Sequence, residues 1–91
     1  MISVKLSKRF KKIVRDAGRE DEVIVALNLV KEGFGNPHAH TRLSIRKLGR
    51  RLYECRMSLA WCLVFEAQKG ELVYDFAGNH DEVQSYLRGR R

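Results

Sequence analysis

Several features that define common protein classes are missing from this sequence of 91 residues. No run of 18 apolar residues occurs, so nothing in the chain resembles a membrane-spanning helix, and we expect no membrane partner. The stretch from Met1 to Lys5 lacks the apolar core of a signal peptide, which predicts a cytoplasmic protein. One proline and an apolar fraction of 44% argue against disorder. The length predicts a single domain covering residues 1–91.

Metal-binding patterns are missing as well. The sequence has neither a Cys-x-x-Cys nor a His-Glu-x-x-His pattern, and His38 and His40 stand alone in a predicted loop. Because zinc sites need three or four convergent ligands, we expect both histidines to be solvated and predict no metal and no cofactor. Cys55 and Cys62 are predicted to be reduced core residues, since a disulfide would require a suitable register of their strands.

Acidic residues are fewer than basic residues in this sequence. Eleven Asp and Glu face eighteen Lys and Arg, which leaves a net charge of +7. A small domain with this charge attracts polyanions, of which nucleic acid fits best. Composition alone does not separate that interpretation from simple solubility or from an acidic protein partner.

Two helices are predicted in the first third of the chain. After Ser7, a plausible N-cap, apolar residues recur at the spacing of a buried helix face until Gly18, and the opposite face is a basic stripe that we expect to be solvated. A second helix is predicted to open with Glu20 and to run to Lys31 before Gly33. It is apolar on more than one side, so either it is deeply buried or another protein chain covers part of it.

The rest of the chain shows the alternation of apolar and polar residues that is typical of β-strands. The stretch from Gly33 to His40 is predicted to be loop. The alternation then predicts an edge strand 1–5, a strand that begins at 43 and ends in a turn at Gly49, strands 52–57, 61–66 and 72–77, and a turn or bulge at 58–60. Short connections favour an antiparallel meander. The fold class is therefore α+β, with two N-terminal helices packed on a small antiparallel sheet and a short C-terminal helix.

The alternation also predicts which side chains are open to solvent. Tyr53, Cys55 and Met57 are predicted to face the core, which puts Glu54 and Arg56 on an outer, open face. Asn79, three residues before Glu82, has the spacing of a capping box, so His80 lies in the first turn of the last helix. A basic tail closes the chain with Arg88, Arg90 and Arg91.

The order of these elements and their motifs resembles the RelE/ParE toxin superfamily of bacterial type II toxin–antitoxin systems. The motifs are Lys47-Leu48-Gly49, Tyr53-Glu54-Cys55-Arg56, Trp61-Cys62-Leu63-Val64-Phe65 and Gly78-Asn79-His80-Asp81-Glu82-Val83. The resemblance implies a toxin that in most branches cuts messenger RNA in the ribosomal decoding site and in the ParE branch poisons DNA gyrase. It also implies a cognate antitoxin that wraps the toxin and covers its basic face.

The resemblance further implies roles for individual residues. Arg56 matches the arginine that contacts the scissile phosphate in nuclease members, and His80 matches a C-terminal histidine that acts as general acid or base. Lys47 and Tyr86 fall near basic and tyrosine positions of those enzymes. Many members carry an arginine where this chain has Cys62, so one phosphate-binding cation is missing.

The required chemistry fits these residues independently. RNA cleavage without metal needs a base for the 2′-hydroxyl, a cation for the phosphorane and an acid for the leaving oxygen. Histidine can exchange protons near neutrality, and arginine can grip two phosphate oxygens. We expect Arg56 and His80 to approach within about 6–10 Å. Further RNA contacts are predicted for four nearby arginines, Arg42, Arg46, Arg50 and Arg51.

Structural roles are the alternative for each residue. Arg56 could pair with Glu54 or Asp75, and His80 could be an ordinary residue of the first helical turn. Lys47 could be a solvated edge residue, and Tyr86 could be a core aromatic. Two functions therefore stay open: a metal-independent endoribonuclease acting on mRNA at the ribosome, or a gyrase inhibitor or inactive relative whose only activity is antitoxin binding.

Overall fold

The computed structural model describes residues 2–58 and 60–90. Met1 of the predicted edge strand, Leu59 of the predicted turn and Arg91 of the basic tail lie outside the described residues. No helix within the described ranges is long and apolar enough to cross a membrane.

The described part of the chain forms one five-stranded sheet with helices on both faces. In chain order the elements are β1 (Ser3–Leu6), α1 (Lys8–Ala17), α2 (Glu20–Gly33), α3 (Pro37–Arg42), β2 (Ile45–Gly49), β3 (Leu52–Ser58), β4 (Trp61–Gln68), β5 (Glu71–Gly78) and α4 (His80–Gly89). The strand order is β1-β5-β4-β3-β2. Strands β2 to β5 form the predicted antiparallel meander, and β1 joins β5 in parallel. The α+β class is confirmed, with a mixed rather than a purely antiparallel sheet.

Helices α1 and α2 cover one face of the sheet. The Ser7 hydroxyl accepts a hydrogen bond from the Phe10 N–H at 3.0 Å, which confirms the predicted N-cap. Gly18 ends α1 in the left-handed conformation, at φ 66°. Phe10 from α1 packs against Tyr74 of β5, with ring centroids 5.4 Å apart, and Val30 from α2 is buried in the same cluster. The main core therefore lies between these helices and the sheet.

Helix α4 covers the opposite face, where the sequence predicted open surface. Asn79 and Glu82 form the predicted capping box, with two reciprocal hydrogen bonds of 2.8 Å. Val83 then packs into a second buried cluster with Leu52, Cys62 and Val64. The prediction that Glu54 is open to solvent is wrong: it is only 4% exposed. Strand alternation gave the correct face, but it does not reveal whether a later helix covers that face.

The predicted loop between Gly33 and His40 contains the start of a helix, α3. The Asn36 side-chain oxygen accepts a hydrogen bond from the His38 N–H at 3.0 Å, and Pro37 is the first helical residue. An Asn-Pro step can open a helix as well as a turn, because proline fits the first helical position and asparagine caps it. The loop prediction is therefore wrong from Pro37 onwards.

Gly78 is the position where α4 and β5 come closest. A Cβ atom at Gly78 would lie 2.9 Å from the Glu82 Cβ and 3.2 Å from a ring carbon of Phe76. The first turn of α4 thus rests on the bare backbone of the last strand residue. Because the capping box holds Glu82 in place, a larger residue has little room to move its neighbours.

We expect Gly78→Ala to lower the free energy of unfolding by about 1–3 kcal/mol, since it overpacks this contact. Urea unfolding followed by circular dichroism measures the change. Gly89→Ala is the control, because Gly89 lies at the end of α4 with nothing within 4 Å of its added Cβ. It should be neutral or stabilising by up to about 1 kcal/mol. Equal destabilisation by both variants would show that the close approach at Gly78 is not the constraint.

Candidate active site

Arg56 and His80 lie at the same end of the α4 face. Arg56 on β3 stands in register with Cys62 on β4, which in turn stands in register with Gly78 on β5. Two strand spacings separate the Cα atoms of Arg56 and Gly78, about 10 Å. His80 begins α4 two residues after Gly78, and both Arg56 and His80 are exposed. The register thus brings the two residues to one region of the surface.

A buried carboxylate holds a second arginine beside Arg56. The Arg46 guanidinium lies 2.8 Å from Glu54 Oε1, and the side chains of Arg46 and Glu54 are 61% and 6% exposed. Removing a charged group from water is costly unless a partner compensates it, so Glu54 depends on Arg46. Since only Arg46 Nη2 bonds this carboxylate, its other N–H groups can reach outward to an anion.

Arg46 and Arg56 are diagonal neighbours on one sheet face. Arg46 is opposite Glu54, and Arg56 follows Glu54 by two residues, so about 7–8 Å separates the two backbone positions. Long guanidinium side chains at that spacing can flank one phosphate group. The pair therefore offers two cations although Cys62 takes the place of a third.

The two carboxylates that could have formed a structural ion pair with Arg56 bond other residues instead. Glu54 bonds Arg46, and Asp75 lies 3.8 Å from Arg9 and accepts a hydrogen bond from the Tyr86 hydroxyl at 2.8 Å. Within residues 2–58 and 60–90, no carboxylate pairs with Arg56. Its guanidinium is available to a ligand.

Cys62 lies between Arg56 and Gly78 in the sheet, and its thiol is a poor nucleophile. Burial, followed by the hydrogen bond and charge of Glu54, raises the pKa of the Cys62 thiol to about 11, and the charge of Arg56 only partly opposes this. Burial also raises the pKa of Cys55 to about 11. The two cysteines belong to clusters on opposite faces of the sheet and are free thiols. Neither is suited to act as a nucleophile at neutral pH.

Tyr86 lies further along α4 and packs against the sheet. Its ring stacks on Phe76 with centroids 4.6 Å apart, and its hydroxyl accepts a hydrogen bond from Arg90 at 2.9 Å. Burial and the hydrogen bond to Asp75 raise the pKa of Tyr86. Asp75 precedes Gly78 by three strand residues, about 10 Å. The structure therefore places Tyr86 in a polar network away from Arg56.

The remaining predicted site residues are spread over the surface. Lys47 is opposite Tyr53, on the α2 side of the sheet, whereas Arg56 is on the α4 side. Arg50 and Arg51 form the turn between β2 and β3, and the nearer of them, Arg51, is five residues or about 16 Å along the strand from Arg56. Arg42 ends α3 and lines a groove together with Arg56. Of the four arginines predicted to contact RNA, Arg46 is the diagonal neighbour of Arg56 and Arg42 lines the same groove, whereas Arg50 and Arg51 are remote.

His40 has a structural role that the sequence did not predict. Its Nε2 accepts a hydrogen bond from the Gly35 N–H at 2.8 Å, and its ring packs 5.0 Å from that of Phe34. His40 is half-buried rather than fully solvated, whereas His38 is exposed as expected. The described residues contain no group of three or more His, Cys, Asp or Glu that could hold a metal ion.

Glu54 is the site residue that sequence reasoning missed. A plain two-residue turn at Arg50 and Arg51 would place Cys55 opposite Arg46. The observed register shifts between Lys47 and Gly49, which places Glu54 there instead. A bulge at Leu48 thus creates the ion pair, and opposite charges at 46 and 54 were the only signal for it.

We expect Arg46→Ala to lower the free energy of unfolding by about 1–3 kcal/mol, because it leaves the buried Glu54 carboxylate without its partner. Lys12→Ala is the control, since Lys12 pairs with Asp16 at 3.0 Å on an exposed helix surface. That change should cost less than about 1 kcal/mol. Chemical denaturation of both variants measures the change in the free energy of unfolding. Equally small changes in the two variants would contradict the role assigned to Glu54.

Both thiols should resist alkylation in the folded protein. With the pKa of each thiol near 11, the thiolate fraction is small at pH 8. We expect iodoacetamide to modify Cys55 and Cys62 at pH 8 only after denaturant is added, as measured by intact mass. Rapid alkylation of the native protein would contradict the buried, protonated state.

Comparison with known proteins provides an independent test of the fold. No protein-family model matches the sequence, and no curated protein matches it. Solved structures do: YafQ from E. coli superposes with a TM-score of 0.69 at 11% identity, covering 91% of this chain and 98% of that one. YafQ in the E. coli DinJ–YafQ toxin–antitoxin complex gives 0.69 at 11% identity, covering 90% and 96%. A copper-bound mutant toxin from Helicobacter pylori gives 0.64 at 22% identity, covering 91% and 99%. The likeness confirms the predicted fold.

Proposed function

We propose that this chain is the toxin of a type II toxin–antitoxin system, a metal-independent endoribonuclease that cleaves mRNA at the ribosome in the cytoplasm. The observation that carries the proposal is the grouping of Arg46, Arg56 and His80 on a fold shared with YafQ. A protein antitoxin is the expected partner, since YafQ has been solved in complex with DinJ as a toxin–antitoxin pair.

The proposed reaction is attack of an RNA 2′-hydroxyl on the adjacent phosphorus. The bond from O2′ to phosphorus forms and the bond from phosphorus to O5′ breaks, while one proton leaves the 2′-hydroxyl and another reaches O5′. Arg56 and Arg46 hold the non-bridging oxygens and stabilise the charge that develops on them. His80 carries one of the two protons, as general acid or base.

Other predicted residues have supporting roles or none in this scheme. Arg50 and Arg51 lie at the far end of the same hairpin, where they can bind the RNA backbone beyond the scissile phosphate. Arg42 lies on the groove side of Arg56. We assign no proton transfer to Lys47, which is on the other side of the sheet, or to Tyr86, whose hydroxyl is engaged by Asp75 and Arg90.

Arg56→Ala should reduce mRNA cleavage about 10²–10³-fold, the usual cost of removing one group that stabilises developing charge. His80→Ala should reduce it about 10²–10⁴-fold. Cleavage is measured on mRNA bound to purified ribosomes, with the cut sites mapped by primer extension. Arg15→Ala is the matched control, because Arg15 is exposed on α1, across the sheet from α4. It should cleave like the wild type.

Growth assays distinguish the enzyme from a gyrase inhibitor. Induction of the wild-type chain should stop translation and produce new mRNA ends, and Arg56→Ala should relieve the arrest. Growth arrest with DNA damage and intact mRNA would contradict the nuclease function. Undiminished cleavage by Arg56→Ala, with correct folding verified by circular dichroism, would contradict the proposed site.

A further inference from the structure

A cleft of about 310 Å³ lies between the end of α4 and the β2–β3 hairpin. We call it the hairpin cleft, and six side chains line it: Leu48, Leu52, Gln84, Leu87, Arg88 and Arg90. Gln84, Leu87 and Arg88 share one side of α4, because they stand three and four residues apart. Since α4 covers only one face of the sheet, the hairpin cleft lies on the face that also carries Arg46 and Arg56.

The floor of the hairpin cleft is apolar and partly open to water. Leu52 is 8% exposed, and Leu48 and Leu87 are half-buried at the edge of the second cluster. A flat apolar group that enters the cleft would cover leucine surface that the fold itself leaves in contact with water. The cleft is large enough to admit one nucleobase.

Gln84 supplies an uncharged polar group beside this floor. Its side-chain amide forms no hydrogen bond with the part of the chain that the structure describes. An amide offers donors and an acceptor side by side, and this pattern matches the edge of a base. The amide of Gln84 is therefore available to a ligand in the cleft.

The rim of the hairpin cleft is basic. Arg88 and Arg90 line it, and Arg50 and Arg51 form the adjoining turn. Within residues 2–58 and 60–90, Arg90 is the only one of these four that pairs with a carboxylate, that of Glu66 at 3.4 Å. The described lining residues include no carboxylate. The positive charge of the rim thus suits an anionic ligand.

Arg51 adopts a backbone conformation that favours glycine, at φ 62°. The left-handed region is sterically unfavourable for a residue with a Cβ atom, so a glycine would fit this turn better. Residues held in such conformations are frequent at ligand-binding sites. The charged side chain of Arg51 at this strained position agrees with a ligand contact beside the turn.

We propose that the hairpin cleft binds one nucleobase of the RNA substrate and that Gln84 sets a preference for that base. The base lies against Leu48, Leu52 and Leu87 with its edge toward the Gln84 amide, and the arginine rim holds the neighbouring phosphates. This inference rests on the proposed nuclease function and adds a specificity site away from the cleaved bond.

The position of the hairpin cleft suits an RNA strand that is cut at Arg56. Leu52 is four strand residues from Arg56, about 13 Å. Arg46 lies between the two sites, since it precedes Leu48 by two residues on β2, about 7 Å. A strand that leaves the scissile phosphate therefore passes Arg46 before it reaches the cleft. The bound base belongs to a nucleotide near the cleaved bond rather than at it.

A protein segment fits the hairpin cleft less well than RNA does. A docked helix or extended peptide needs a long apolar groove with several anchor pockets, whereas this floor consists of three leucines. Each nucleotide of single-stranded RNA instead presents a flat base next to a phosphate, and an arginine plane can stack on the base or bind the phosphate. The short apolar floor beside unpaired arginines matches that combination.

The test measures binding of three single-stranded RNA hexamers, made of adenosine, cytidine or uridine alone. The protein is the full chain with His80→Ala, which prevents cleavage, and the readout is fluorescence anisotropy. We expect dissociation constants that differ at least about fivefold between the tightest and the weakest hexamer. Adding Gln84→Ala should reduce this ratio below about twofold. Adding Gln68→Ala instead is the matched control, because Gln68 is an exposed glutamine outside the cleft, and the ratio should stay unchanged.

Methyl NMR locates the contact without a further substitution. The signals of Leu48, Leu52 and Leu87 should shift when the tightest hexamer is added. The signals of Val25 and Leu29, which are exposed on α2, should not move.

Each other outcome contradicts the inference in a distinguishable way. RNA binding that leaves the three leucine signals unmoved, or no RNA binding at all, would overturn the base site and leave the cleft to a protein partner. Shifted leucine signals with equal affinity for all hexamers, or an unchanged ratio in Gln84→Ala, would overturn the role of Gln84. If the hexamers bind in the cleft as expected but the wild type leaves ribosome-bound mRNA intact, the base site stands and the nuclease function fails.

Discussion

The close approach of α4 to β5 at Gly78 is the constraint on which the candidate site depends. It lets the chain turn from the last strand directly into a capped helix, which places His80 at the end of the sheet that carries Arg56. The same helix closes the second face and buries Glu54. Burial makes that carboxylate dependent on Arg46 and so fixes a second guanidinium beside Arg56. One steric contact therefore leads to the arrangement of Arg46, Arg56 and His80 on which the proposed function rests.

Arg56 lies where two surfaces of opposite character meet. On the α4 side, exposed arginines continue along the hairpin to its turn, and this surface suits a polyanion. On the α2 side, the exposed apolar side chains Val25 and Leu29 lie on the helix whose first turn is acidic.

Much of the fold could be predicted from local sequence signals. Caps at Ser7 and Asn79, the stop at Gly18 and the alternation of β3 all depend on neighbouring residues, and each was confirmed. The errors arose where a distant element decides the outcome. Glu54 is buried because α4 folds over it, and Arg46 meets it because of a bulge at Leu48.

Ambiguous local signals account for the other errors. Asn36 and Pro37 open a helix although the same dipeptide is common in turns, and His40 is held by Gly35 and Phe34 within that short segment. The roles proposed for Arg56 and His80 came from a resemblance to a toxin family. Their neighbourhood follows from strand register, which the sequence of each strand alone does not specify.

The chemical ends of the cleaved RNA test the central claim most directly. Attack by the 2′-hydroxyl, assisted by Arg46, Arg56 and His80, leaves a cyclic 2′,3′-phosphate or its 3′-phosphate product on one fragment and a 5′-hydroxyl on the other. Mass spectrometry of a short mRNA cut by the wild-type protein on ribosomes identifies these ends. The account predicts them at every cut site, and fragments with a 3′-hydroxyl and a 5′-phosphate would contradict it.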